Sequence, residues 1–243
     1  MPDPIFAHPR LAAIYDDLDG DRSDLDHYVA IVGEIGARSV LDIGCGTGAL
    51  ACRLAIAGHS VVGVDPAGAS LQIARRKPGA DRVSWVLGDA TTLPDTVRGV
   101  DLAVMTGNVA QVFLDDDSWS ATLRGIRDAL KPGGHLVFEA RDPAFQGWTE
   151  WTKEASYTVA ETSDGPVESW VELIDVALPL VSFRWTYRFL STRDELTSDS
   201  TLRFRSKDEL TDSLPAEGFV VESIRDAPDR PAREFVFVTK RTE

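Results

Sequence analysis

Residues 40–48, V-L-D-I-G-C-G-T-G, constrain the fold of this chain more than any other stretch. An apolar run ends in a loop holding Gly44, Gly46 and Gly48, and helical spacing begins at Ala49. Glycine opens backbone conformations closed to other residues and lets the chain approach a neighbour closely. A helix starting there aims its unpaired N–H groups at the same point. The pattern predicts a buried strand that ends at a ligand loop. It also repeats: apolar runs at 40–43, 61–65, 83–87, 100–105 and 135–140 alternate with helical segments. The first helix runs from Ala49 to a close at Gly58, the second follows Pro66 and stops at Pro78, and the last ends before Pro132-Gly133-Gly134. Such alternation builds a parallel sheet covered on both faces, whose ligands bind beyond the carboxyl ends of the strands. Asp42, Asp65, Asp89 and Asn108 all lie near those ends.

The acids suggest what the loop holds. Asp65 closes the second run about 20 residues after the first loop glycine, where a carboxylate can accept both hydroxyls of a ribose. Gly44, Gly46 and Ala49 also satisfy the dinucleotide pattern G-x-G-x-x-G/A, so a nicotinamide cofactor stays open on spacing alone. Asp42, two residues before the first glycine, suits a cationic amino group and opposes a pyrophosphate. The third run, V-S-W-V-L-G, ends in Asp89-Ala90, a carboxylate and an N–H placed to meet an adenine.

Together these residues resemble the class I S-adenosylmethionine-dependent methyltransferases, continuously over 40–140 and more weakly over 206–240. The resemblance implies an α/β fold: a Rossmann-like sheet, mostly parallel, with its last strand antiparallel between strands five and six. It implies S-adenosylmethionine as cofactor and S-adenosylhomocysteine as product. Carried over residue by residue, Asp42, Gly44 and Gly46 would meet the methionine end, Asp65 the ribose, and Asp89 and Ala90 the adenine, with Cys45 and Pro66 also among the cofactor-binding residues. Asn108 would sit near the reactive methyl, under Tyr15 from the N-terminal segment. Pro66 departs from the family pattern by lacking an N–H, and it reads as the first residue of the next helix.

Residues 141–205 break the alternation. Stretches such as S-W-V-E-L-I-D-V-A-L and V-S-F-R-W-T-Y-R-F-L alternate at period two, which predicts an antiparallel β insertion. The division expected is a core of 1–140 and 206–243, with a capping N-terminal segment, and an insertion at 141–205 serving as substrate lid or homodimer contact. Trp185, Tyr187 and Phe189 share one strand face and Arg184 and Arg188 the other. Trp148 and Trp185 are candidate substrate contacts. Arg141, directly after the fifth strand, is a candidate for holding a carboxylate or phosphate. Ser206 and Glu209 form a capping box for a short helix ending at Gly218, and final strands follow near 219–225 and 234–239.

Composition narrows the partners. Acids outnumber bases 39 to 25, for a formal charge of -14, which repels a nucleic-acid backbone. The residues after the fourth strand, M-T-G-N-V-A-Q, lack the Asn-Pro-Pro-Tyr motif of base methylation, and no double-Glu loop of protein arginine methyltransferases follows. Cys45 and Cys52 are the only cysteines, too few for a zinc site and consistent with a reducing, cytoplasmic setting. No apolar run reaches bilayer length, so no membrane partner is expected. The acidic run holding Asp17, Asp19 and Asp21 has Arg22 where a calcium loop needs Gly and Tyr28 where it needs Glu. No metal is expected. Among the histidines, His59 and His135 begin elements away from the site and His27 takes an outward helix position, which leaves His8 as candidate base beside Tyr15 and Asn108. The expected function is methyl transfer to an N, O or carboxylate acceptor on a small molecule. The alternatives are an NAD(P)-dependent oxidoreductase and a non-catalytic S-adenosylmethionine-binding regulatory protein.

Overall fold

The structure, a computed structural model, describes residues 1–243. Its main sheet holds β1 (Ser39–Ile43), β2 (Ser60–Asp65), β3 (Val83–Leu87), β4 (Val100–Met105), β5 (Leu130–Arg141), β10 (Phe219–Asp226) and β11 (Glu234–Arg241). The order is β3-β2-β1-β4-β5-β11-β10. β1 pairs in parallel with β2 and β4, while β11 runs antiparallel between β5 and β10. Alternate residues of the strands feed two cores, as the period-two geometry of a strand requires. On one face Val40, Leu102, Val104 and Val137 pack with α3 (Asp26–Ile35) and α4 (Ala49–Ile56). On the other, Leu41, Ala103, Met105 and Phe138 pack with α6 (Asp116–Ala129), where Phe138 and Phe237 stack at 4.8 Å. Burying each such side chain contributes about 1.5–3 kcal/mol.

A second sheet is antiparallel throughout, in the order β6 (Thr158–Thr162), β7 (Gly165–Ala177), β8 (Leu180–Phe189), β9 (Glu195–Arg203). Its core is shared with the start of the chain. Ile5 of α1 (Pro4–Ala7) and Leu11 and Ile14 of α2 (Pro9–Asp19) cluster with Val167, Tyr187 and Phe189. Arg10 lies 3.6 Å over the Phe189 ring and pairs with Asp194 at 2.8 Å. The N-terminal helices therefore bridge the two sheets, a long-range pairing that no local pattern announces. A single turn, α7 (Lys153–Ser156), precedes β6, and α8 (Lys207–Ser213) starts at the Ser206–Glu209 capping box.

Two local expectations change. Pro66 is not the first helical residue: it forms a bend, and α5 (Gly68–Ala74) begins two residues later with Ala67 as its N-cap. The Asp65 carboxylate accepts from the Ala67 N–H at 2.7 Å, a bond that skips the residue with no N–H. The fifth strand also starts earlier than 135, because Leu130 already pairs with Val100 before an irregularity brings His135 opposite Leu102.

Candidate functional site

The glycine loop is tied to β2, for Gly44 and Cys45 donate their N–H groups to the Val64 carbonyl at 2.8 and 3.1 Å. Its glycines divide the work. Gly44 and Gly48 have φ of +70° and +76°, and a Cβ on either would lie 2.5 Å from Val109 or Trp85. Those two let the chain pack on itself. Above Gly46 there is no atom within 4 Å of a Cβ position, so the middle glycine faces an open cleft. Asp65, at the end of β2, holds the loop in place: its two oxygens accept from Gly46 N at 2.8 Å and Ala67 N at 2.7 Å. Burial pushes its pKa up, and the two N–H groups oppose that shift.

Asp42 lies on β1 beneath the loop, only 2% exposed. Burial, and then the charge of Asp65, pushes its pKa up to about 7. The structure therefore does not present Asp42 on an open surface, as a direct contact to an amino group would require. Burial also keeps the Cys45 thiol protonated, well above its usual range. Asp89 is exposed after β3, with one oxygen accepting from the Thr91 N–H at 2.8 Å and hydroxyl at 2.6 Å. Ala90 is buried against α6, where a Cβ on Gly125 would lie 2.0 Å from the Ala90 carbonyl oxygen. Gly125 is thus a positioning residue the sequence reading missed. From above, Asp16 of α2 accepts from the Thr47 hydroxyl at 2.6 Å and pairs with Lys77 at 2.7 Å, clamping the N-terminal segment onto the loop.

Beside the cleft, a cavity of about 680 Å³ opens between the ends of β4 and β5, the N-terminal helices and the second sheet. It brings together Tyr15, Asn108, Arg141 and Trp185. Two other candidates lie elsewhere. His8 is exposed and caps α2, its Nδ1 accepting from the Arg10 N–H at 3.3 Å. Trp148 is buried in a cluster of its own with Phe204, ring centroids 4.7 Å apart. Its role is packing, because an indole that size at an apolar junction gains more from burial than from a wet wall. Arg141 is not a free anion clamp either: its guanidinium sits 3.5 Å from Glu234 and donates to Gln111 Oε1 at 3.3 Å.

The cavity floor is polar and buried. Glu139 of β5 and Glu234 of β11 are 6% and 4% exposed, and the register of the two strands, Glu139 opposite Val236 and Arg141 opposite Glu234, puts all three charged residues on one face. The Tyr28 hydroxyl donates to Glu139. The Asn108 backbone N–H donates to Glu139 Oε1 at 2.9 Å, and its Nδ2 to Glu234 Oε1 at 3.3 Å. Arg230 pairs with Glu234 at 2.7 Å. Burial, then the charge of Glu234, pushes the Glu139 pKa up, and burial beside Glu139 pushes the Tyr28 phenol far up. Two acceptors are left over: Asn108 Oδ1 and His27 Nε2 are buried with no hydrogen-bond partner. His27 lines the cavity, which corrects its outward assignment. The opposite wall is apolar, with Phe183, Trp185 and Tyr187 of β8 facing in and Trp185 and Tyr187 stacked at 6.1 Å. Arg184 and Arg188, on the other face of β8, pair with Asp199 and Glu195 in solvent.

The family described as "Methyltransferase domain" matches residues 40–134, the stretch from β1 to the start of β5. Over those residues the chain is similar to that family. A curated relative, "Cypemycin N-terminal methyltransferase" of Streptomyces sp, is 38% identical over 110 residues, 45% of this chain and 44% of that protein. The chain's matches span about half the length of such curated relatives. Among solved structures, the CcbJ methyltransferase of Streptomyces caelestis aligns at TM-score 0.76 and 22% identity, covering 94% of this chain and 93% of that one. The sugar N-methyltransferase KedS8 of Streptoalloteichus sp ATCC 53650 aligns at 0.74 and 21%, covering 94% and 91%. Both share the whole fold of this chain, second sheet included. The sequence reading missed Glu139, Tyr28, Glu234 and Arg230 of the cavity floor; the one local signal was Glu139 itself, an acid inside the apolar run L-V-F-E-A.

Proposed function

We propose that this protein is an S-adenosylmethionine-dependent methyltransferase whose acceptor is an amine on a small molecule. The residues fit the cofactor. Open space lies over Gly46, Asp65 stands at the end of β2 for a ribose, Asp89 retains its second oxygen for an adenine amino group, and Tyr15 and Asn108 border the cavity. When bound, S-adenosylmethionine supplies an electrophilic methyl on a sulfonium.

The chain's own residues then have three tasks: to align the nucleophile, to exclude water and to manage its proton. The aromatic wall from β8 and the clamp of α2 over the loop enclose the acceptor. Tyr15 remains protonated through the neutral range, its pKa pushed up to about 12 by burial and then by Asp19, and so offers a neutral hydroxyl and an aromatic face to a cation.

The single observation that carries the amine reading is the imbalance of the floor. Seven carboxylates line the cavity against three guanidiniums, and the unpartnered groups include two acceptors, Asn108 Oδ1 and His27 Nε2. An ammonium brings three donors and a positive charge to such a surface, whereas a carboxylate or phosphate would meet like charge. KedS8, a sugar N-methyltransferase of the same fold, supports the same choice. The test is calorimetric titration with S-adenosylmethionine and with NADH, followed by mass spectrometry of products from matched amine, alcohol and acid acceptors. S-adenosylmethionine binding and N-methyl products are expected; NADH binding, or methylation of the alcohol or acid alone, overturns the reading.

A further inference from the structure

We infer that His27 is the catalytic base, taking the proton from the bound ammonium at Nε2. The inference rests on the amine reading above and adds the residue that makes such an acceptor reactive. An alkylammonium has no lone pair for attack, so one N–H bond must break before the nitrogen can bond to the methyl. Of the four histidines, His8 is exposed as a helix cap, His59 Nδ1 lies 3.0 Å from the Ala37 carbonyl oxygen, and His135 Nε2 lies 3.1 Å from Glu222. His27 alone lines the cavity. Its Nε2 is buried without a partner, a cost that a ligand donor would remove.

The surroundings suit both protonation states in turn. Burial holds the free imidazole below its usual pKa, so the ring is neutral and able to accept near pH 7. Its ring packs on Tyr28 at 3.9 Å, and Tyr28 leads through Glu139 to the Asn108 N–H. Asp24 from the turn before α3, Asp229 from the β10–β11 connection and Glu234 of β11 all favour the imidazolium. Arg22, Arg141 and Arg230 are the cations that line the cavity. In balance, the ammonium N–H bond breaks and its proton passes to His27 Nε2. The freed pair forms the N–CH3 bond as the S–CH3 bond breaks, the sulfur keeps that electron pair, and the imidazolium later gives its proton to water. The secondary ammonium leaves with its positive charge.

The test uses the full chain, S-adenosylmethionine and two probes of similar size, 2-phenylethylamine, which is charged at neutral pH, and 4-ethylaniline, which is not. His27→Gln keeps an acceptor near the Nε2 position and cannot hold the proton. At pH about 7 it is expected to lower kcat for 2-phenylethylamine about a hundredfold and kcat for 4-ethylaniline by at least about tenfold less than that. The deficit should close as pH approaches the amine's own ionisation. In the S-adenosylhomocysteine complex, adding 2-phenylethylamine should move the His27 ring resonances towards the imidazolium position. Unmoved resonances, or a deficit equal for both probes and at every pH, overturns the assignment and indicates a packing role. Absence of S-adenosylmethionine binding by the unaltered protein is a separate failure, of the methyltransferase reading itself.

Discussion

The cleft over the glycine loop and the cavity beside it sit at the same edge of one sheet, yet they are built in opposite ways. In the cleft the reactive carboxylate is already satisfied by its own neighbourhood: both Asp65 oxygens hold backbone N–H groups of the loops they organise. In the cavity, acceptors on α3 and after β4 are left without partners, and the buried carboxylates Glu139 and Glu234 come from β5 and β11. A cleft assembled from consecutive loops can be rigid before ligand arrives. A cavity assembled from distant elements stores its specificity in groups that only a ligand completes, as buried polar atoms without partners are costly.

Five substitutions would break or sharpen that contrast. The largest effect is expected from Glu139→Ala, which strands the Tyr28 hydroxyl and the Asn108 N–H. Methyl transfer should fall by about two to three orders of magnitude, while S-adenosylmethionine affinity by calorimetry changes less than about threefold; an equal loss of both would show the two sites to be one. Asp65→Ala should do the reverse, weakening S-adenosylmethionine by about 1.5–3 kcal/mol, the value of hydrogen bonds to a charged group. Unchanged affinity there refutes the ribose assignment.

Within the loop, Gly44→Ala meets Val109 at 2.5 Å and should cost about 1–3 kcal/mol of stability in urea unfolding. Gly46→Ala pays only its left-handed backbone cost of about 1–2 kcal/mol and should lose cofactor affinity instead, because its side chain enters the cleft. The effect of Asp42→Asn depends on pH. The folded pKa is raised to about 7 from 3.8, so Asp42 favours the folded state fully below about pH 4 and that advantage is lost as pH rises through about 7. The variant should therefore gain Tm relative to the parent as pH rises across that window. A constant difference would place Asp42 outside the low-dielectric interior.

The cleft was the legible half. Its residues fall within one or two positions of strand ends, and strand ends are visible as the close of apolar runs followed by glycine, so Gly46, Asp65 and Asp89 could be placed by counting. Asp42 was placed by the same counting and assigned a direct contact, but its burial depends on how the loop folds back over β1. The cavity was legible only where a residue was unusual for its segment. Trp148 and Trp185 look alike in sequence, yet one fills a core and the other faces the acceptor space, because the pairing of β7, β8 and β9 and the path of the chain before β6 decide which side of the sheet each indole meets. His27 was placed outward from helical spacing alone. The far wall that encloses it is formed by Asp229 and Glu234, roughly 200 residues along the chain.

By itself the sequence determined the strand and helix order, the two-faced sheet and the glycine loop with its acids, since these depend on side-chain periodicity and backbone freedom over short spans. Only the tertiary structure decided that α1 and α2 complete the second sheet's core, that Arg141 is paired with Glu234, and that the acceptors Asn108 Oδ1 and His27 Nε2 share a cavity. Those outcomes depend on which distant surfaces exclude water from one another, and hydrophobic burial, having no direction of its own, leaves no local pattern that names its partner.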